Sequence, residues 1–299
     1  MTARQEALEE AQVVGRPPRG MGSRFLFLIL RNPLGLMGLL LILVLIVVGS
    51  LAPFIAPFRE NEFAGIPFQG PTWGHPFGTD HLGRDIMSRV IFGARISLAV
   101  GFISVIGGTA TGTTIGIVSG YFGGWADNLI QRVGDTAMAF PGLILLMIII
   151  SVLGPSIQNV IIVIGIGIIP GVSRVIRSAV LSEKQNQYIE AARAAGASPL
   201  RVLFRHVAPN VAPLSIVIAT TLLAGAILAE AGLSFLGLGV PPPNPSWGAD
   251  VNLARNSFPI HIWWAFFPGL AIALTVLGFN FLGDALRDIL DPRLRGATR

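Results

Sequence analysis

The sequence predicts an all-α membrane protein with six transmembrane helices and both termini on the cytoplasmic side. Composition is the first reason: of 299 residues, 52% are hydrophobic and only 12% charged, against about 25% charged in a soluble domain. The second is patterning. The apolar residues come in long blocks with no period of two, and a helix of about 20 such residues covers a ~30 Å hydrocarbon core. The third is charge asymmetry. With the amino terminus inside, 16 of the 21 basic residues fall on inner segments, leaving Arg59, Arg84, Arg89, Arg95 and Arg255 outside, which is the bias that orients membrane proteins.

The first block runs from Leu34 to about Ala56 and contains LLLILVLIVV. It is too long for a signal-peptide core and no small-residue cleavage site follows it, so it is expected to stay as an anchor. The second, from about Ile96 to Ser119, is rich in Gly and Thr and uncharged after Arg95. The third and fourth, near 135–153 and 157–176, are separated by Gly154-Pro155-Ser156, a hairpin tip. The fifth covers about 211–232 and the sixth Trp263 to Gly283. Much of the chain's 36 glycines lies within these blocks, where small residues let membrane helices approach closely. The resulting division is a cytoplasmic tail at 1–33, a first helix and external loop at 34–95, a five-helix core at 96–290, and a cytoplasmic tail at 291–299. Within the first tail, Glu6, Glu9 and Glu10 precede Arg16-Pro17-Pro18-Arg19, and no function is assigned to it.

The core contains the longest inner loop, 177–210, which includes YIEAARAAGASPLRVLFRHVAPN. A helix from about Glu183 carries Glu190, Ala191, Ala192 and Arg193, with Gly196 placed to end it in a left-handed conformation. Ser198 then caps a second helix with Pro199 at its first position, and Pro209 is expected to stop that helix. Three readings of this unit stand: a DNA-binding helix-turn-helix, which lacks a packed third element here; a surface helix drawn to anionic membrane lipid by Arg193, Arg201 and Arg205; and a docking knob whose alanine face sinks into a groove of a cytoplasmic protein. The net charge of +5 resides largely on segments the inside rule already explains, so nucleic acid is not an expected partner.

Outside, Asp80 is expected to cap a helix on which Asp85 and Arg89 stand four apart. Asp80, Arg84 and Asp85 are candidates for structure or for contact with another protein. The loop from Val240 to Ile262 is stiffened by VPPPNPSWG and carries Trp247, Asp250, Asn252 and Arg255, suited to a docking rim or a channel mouth. Charges inside spans are costly. Glu230 lies about 18 residues beyond Ala212, hence ~27 Å along the fifth helix, and reads equally as a gate or as an anchor at interfacial water. Asp284, Arg287 and Asp288 are spaced for helix-surface pairs. No ionisable group is expected at mid-membrane, which argues against a secondary transporter.

The motifs Glu190-Ala191-Ala192, Gly196 and Pro209 resemble the EAA loop of inner-membrane permeases in binding-protein-dependent ABC importers, although Ala208 stands where that family has leucine. HPFGTDHLGRDIMSRVIFGARISL, GYFGGWADNLIQRVGD, LSFLGLGVPPPNPSWG and FPGLAIALTVLGFNFLGDALRDILDP are similar to the second, or C-type, permease of oligopeptide and dipeptide importers. The resemblance implies a type I importer permease fold in a bacterial inner membrane. It also implies a homologous B-type permease, two ABC ATPase subunits and an extracytoplasmic solute-binding protein as partners. Glu190, Ala191, Ala192, Arg193, Gly196, Ser198 and Pro199 would then couple to an ATPase. Glu230, Trp247 and Asp250 would serve the gate or pathway, and Asp80, Arg84, Asp85, Asn252 and Arg255 the binding protein. Solutes within reach are di- and oligopeptides, with nickel chelates, glutathione or oligosaccharides as alternatives, and a non-transporting scaffold as a different class. The chain itself is expected to be no enzyme and to hold no cofactor. Its one lysine, Lys184, follows no glycine loop, so ATP and Mg belong on partner ATPase subunits. His75, His81, His206 and His261 show no metal-cage spacing, and the absence of cysteine removes disulfides and thiolates.

Overall fold

The computed structural model describes residues 32–258 and 260–290, with the backbone alone at 289 and 290. Apart from residues 32 and 33, the expected terminal tails lie outside the described residues. Among the described residues all regular elements are helical, with two isolated bridges, Phe63 to Arg84 and Thr79 to Asp85.

Asn32 starts α1 (Pro33–Ser50) by accepting from the amides of Leu34 and Gly35 at 3.1 and 3.3 Å. A short α2 (Ala52–Ile55) ends the first span. The second, α3 (Ile86–Phe122), begins ten residues before the expected Ile96. Arg89 and Arg95 place those residues outside the span, with Arg89 on a separate outer helix, but Arg89 is buried by pairing with Asp250 at 2.6 Å and one helix runs through. The third span is a bent pair: α4 (Gly124–Met138) and α5 (Gly142–Leu153) meet at 96°. Pro141 interrupts the helix there, so the straight span expected near 135–153 is corrected. The tip at Gly154 takes φ +83°, and Ser156 caps α6 (Ile157–Glu183) by accepting from the Asn159 amide at 3.0 Å.

Beyond α6 come α7 (Gln187–Ala194) and α8 (Pro199–Val202). A π turn (Leu203–Val207) joins α8 to α9 (Ala208–Phe235). Pro209 therefore does not stop the helix. A proline lacks the amide donor and crowds the carbonyl four residues back, and a π turn before it opens that crowded ring. The rod continues from Pro199 to Phe235, 37 residues, about 55 Å at 1.5 Å per residue. The chain then forms α10 (Trp247–Ala254), a 3-10 turn (Arg255–Ser257) and α11 (Ile262–Leu290). Among the described residues five helices thus have the length and apolarity of membrane spans, and the bent pair, taken as one span, makes six.

The glycines explain how these rods pack. Gly108, Gly112, Gly116 and Gly120 recur every fourth residue of α3 and lie against Gly165, Val172, Ser173 and Val180 of the parallel α6. A Cβ on Gly108 would sit 2.6 Å from the Gly165 carbonyl oxygen, so backbone nearly touches backbone. Antiparallel α9 packs on α3 with Ile227 over Gly101, and Thr113 donates to Ser215 at 3.0 Å. α11 meets α1 where Gly38 abuts Gly278. The core formed at these seams includes Val100, Val105, Ile150, Val163, Ile227 and Phe279, while Leu40, Val44 and Val47 of α1 point outward, as a lipid-facing surface does.

Candidate coupling loop and outer connector

At one end of the bundle, which we call the loop end, α7 stands on the ends of three spans. Ile189 is fully buried with Tyr121 of α3, Val172, Ile176 and Val180 of α6, and Val202, Leu203 and Val207. The Schellman motif expected at Gly196 forms: Ala197 donates to the Ala192 carbonyl at 3.0 Å and Gly196 to Arg193 at 2.9 Å, with Gly196 at φ +82°. Ser198 caps α8 through the Arg201 amide at 3.4 Å, with Pro199 in the first turn.

The residue that fastens this loop is Glu183, not Glu190. Glu183 accepts from the Tyr188 hydroxyl, from Asn210 at 2.8 Å and from Asn186 at 3.0 Å, and Asn210 also donates to Tyr188 at 2.7 Å. Lys184 donates to the Tyr121 carbonyl at 2.7 Å; burial, and then the charge of Arg193, hold its ammonium below the ordinary lysine value. Two further pairs, Arg177 to Asp127 at 2.6 Å and Arg174 to Asp135, fasten α4 to α6. Glu190, Ala191 and Arg193 are exposed and Ala192 is half-buried. Among the described residues no side-chain bond or ion pair engages Glu190. Glu183 went unnoticed because its partner Asn210 is 27 residues away.

At the opposite, cap end, residues 56–85 fold over the start of α3. Asp80 does not cap that helix. It accepts from the Leu82 and Arg84 amides at 2.8 and 2.9 Å and pairs with Arg84 at 2.6 Å, closing a turn. Asp85 is the cap, accepting from the Ser88 amide at 2.7 Å and facing His75 Nδ1 at 3.0 Å. All three candidate contact residues of this loop are buried, so their polar groups are used inside the cap. Arg89 reaches across to Asp250 rather than to Asp85, and also donates to the Glu60 carbonyl at 3.2 Å. Burial pushes the Asp250 carboxyl above the ordinary aspartate value against the pull of Arg89. Burial also lowers His81, whose ring stacks on Trp264 at 4.9 Å.

Trp247 is 0% exposed and donates from its ring nitrogen to the Val90 carbonyl at 2.9 Å. Neither it nor Asp250 lines an open rim or mouth, because α10 is driven inward between α3, α9 and α11. Of the polar residues expected there, Asn252 is half-buried and Arg255 exposed. Glu230 is also 0% exposed, which corrects the expectation that it reaches interfacial water. Asp284, Arg287 and Asp288 are exposed along α11, with no ion pair between them among the described residues.

The family model for the binding-protein-dependent transport system inner membrane component matches residues 112–296, from mid-α3 through the loop end to α11. The chain belongs to this family. It is similar to a dipeptide transport system permease protein of Alkalihalophilus pseudofirmus, 42% identical over 89% of this chain and 88% of the relative. It is similar also to glutathione transport system permease proteins. That of Pectobacterium atrosepticum is 43% identical over 94% of this chain and 93% of the relative. That of Escherichia coli O157:H7 is 46% identical over 89% and 88%. The permease is accordingly a multi-pass inner-membrane protein with the type I importer fold. A cavity of about 350 Å³ opens in it where α4 bends into α5, bounded by Phe140, Leu146, Gly167, Pro170, Gly225 and Ala229. Sequence reading had not singled out these residues, since small and apolar side chains in a span carry no signal of a cavity.

Proposed function

We propose that this permease forms half of the translocation pathway of an ATP-driven importer of short peptides, and that α7 couples it to an ATPase subunit. The observation that carries the reading is at the loop end. α7 is bolted to α3, α6 and α9 through Ile189 and the Tyr188–Glu183–Asn210 cluster, yet Glu190, Ala191 and Arg193 face outward without a partner among the described residues. A rigid knob with a small-residue face is suited to a groove in another protein. The loop end is then cytoplasmic and the cap end faces the solute-binding protein. ATP and Mg would be held by the partner ATPases, and the second half of the pathway by a homologous B-type permease. Two grooves that shift between ATP-bound and free states can drive the pathway between inward and outward access only by binding α7 differently in each. A shift from 1:99 to 99:1 requires about 5.5 kcal/mol, within reach of two nucleotides.

Di- and oligopeptides are the first solute class, and glutathione, itself a tripeptide, is the second reading favoured by the named relatives. The cavity at the α4–α5 bend supports a pathway along α5 and α9, because it is roomy, apolar and flanked by the bent α4–α5 span. The test is purification of the intact complex with its binding protein, mass-spectrometric identification of the retained solute, and ATP-dependent uptake of it into proteoliposomes. Retention of a non-peptide solute overturns the substrate class, and full uptake without ATPase subunits overturns the coupling.

A further inference from the structure

Between α9 and α10 the chain turns back on itself. Gly237 ends α9 at φ +80°, and Gly239 and Gly248 then lie against Ser234 and Ala231 so closely that neither has room for a Cβ. Beneath this fold-back sits Glu230. It accepts from the Ser97 hydroxyl of α3 at 2.9 Å and from the Ser234 hydroxyl of its own helix at 2.8 Å. Ser234 accepts the Val240 amide on its other side at 3.2 Å. A hydroxyl that accepts from an amide keeps its one proton for the carboxylate, so Ser234 relays the connector amide of Val240 to Glu230. No cation pairs with Glu230 among the described residues. A buried carboxylate in that position is tolerable only while donors surround it. Its stability and the closed connector are therefore mutually dependent.

We propose that Glu230 is a positioning residue that holds residues 236–246 closed over the cap end of the bundle, acting through Ser234 and the Val240 amide that Ser234 accepts. The Arg89–Asp250 pair and Trp247 secure the far side of α10, so Glu230 controls the hinge side alone. The consequence for transport rests on the pathway reading above, since a lifted connector would open that pathway at the cap end. The physical claim does not.

The chain has no cysteine, so single reporters are clean. Val240→Cys reports on the connector and Val202→Cys on the loop-end core; both valines are buried. The complete transporter, in nanodiscs so that both faces are open to reagent, is labelled with biotin-maleimide. Glu230→Ala is expected to speed labelling at position 240 about tenfold or more, the signature of local opening, with position 202 unchanged. Glu230→Gln, which keeps a carbonyl acceptor, is expected to fall between wild type and Glu230→Ala. Unchanged protection at 240 in Glu230→Ala overturns the proposal, as does equal deprotection at both sites, which would make Glu230 a support of the whole bundle. ATP-independent solute leak in proteoliposomes is expected to rise in the same order. Faster labelling with no leak upholds the latch and counts against the pathway reading instead.

Discussion

Replacing Gly116 with alanine, beside the same change at Gly107, isolates the close approach of α3 to α6. A Cβ at Gly116 would lie 2.6 Å from the Ser173 carbonyl oxygen and 2.9 Å from Ile176 Cβ, whereas at Gly107 it would meet nothing within 4 Å. Both substitutions gain the same helix propensity, about 1 kcal/mol, so the difference between them is the steric term. Ordinary contact requires close to 1 Å more room, and the obstacle is backbone, which cannot rotate away. Overpacking of this kind costs about 1–3 kcal/mol. With roughly 2–4 °C lost per kcal/mol in a chain of a few hundred residues, Gly116→Ala is expected to unfold several degrees below Gly107→Ala. Thermal unfolding of the purified complex in one detergent, followed by tryptophan fluorescence, measures this. Equal midpoints for the two variants would refute the argument that the glycine stripe exists for contact.

Three further outcomes follow from the geometry. Gly196→Val forces a β-branched residue to φ +82° where no neighbour crowds it, so the complex is expected to assemble while uptake falls about tenfold or more through misdirection of α7; normal uptake would contradict the coupling role. Asp250→Leu leaves Arg89 buried and unpaired, at a cost of about 3–5 kcal/mol, whereas Arg89→Met with Asp250→Leu removes both charges and is expected to recover most of it. Chemical denaturation of the three proteins decides this, and a double variant no better than the single one would argue against the pair. His81 is held below its ordinary value near 6.5, so its neutral form favours the folded cap. Stability conferred there is full above that value and is lost as pH falls through it toward the folded-state pKa. Hydrogen-exchange protection at the cap end, taken relative to the intrinsic rate at each pH, is expected to fall below about pH 6.5 and to lose that dependence in His81→Gln.

Local signals were legible in the sequence, and distant pairings were not. Gly154-Pro155-Ser156, Gly196 and Ser198-Pro199 act on their immediate neighbours, and each turn or cap formed where expected. Arg89 reads as part of a separate helix outside the second span because the partner that lets it be buried there, Asp250, lies 161 positions away. Asp127 and Asp135 concealed α4 for the same reason, since Arg177 and Arg174 neutralise them from α6. Glu230 reads equally as a gate or as an interfacial anchor because its depth along α9 can be counted from the sequence, whereas the fold-back that seals it cannot. Pro209 obeyed its usual chemistry but found a π turn waiting, a feature with no residue signature of its own.

That π turn sets the bearing of α7 and α8 on the bundle. One surplus residue in a helical turn advances every side chain beyond it by about 100°, so the compass bearing of α8 relative to the upper part of α9 is a matter of residue count, not of residue identity. Deleting a single position between Leu203 and Val207 would leave composition almost untouched and yet swing the alanine face around the rod to the wrong side. Side chains of the segment can be exchanged with the bearing of α7 kept, but its length cannot change by one residue without turning α7 about the axis of α9.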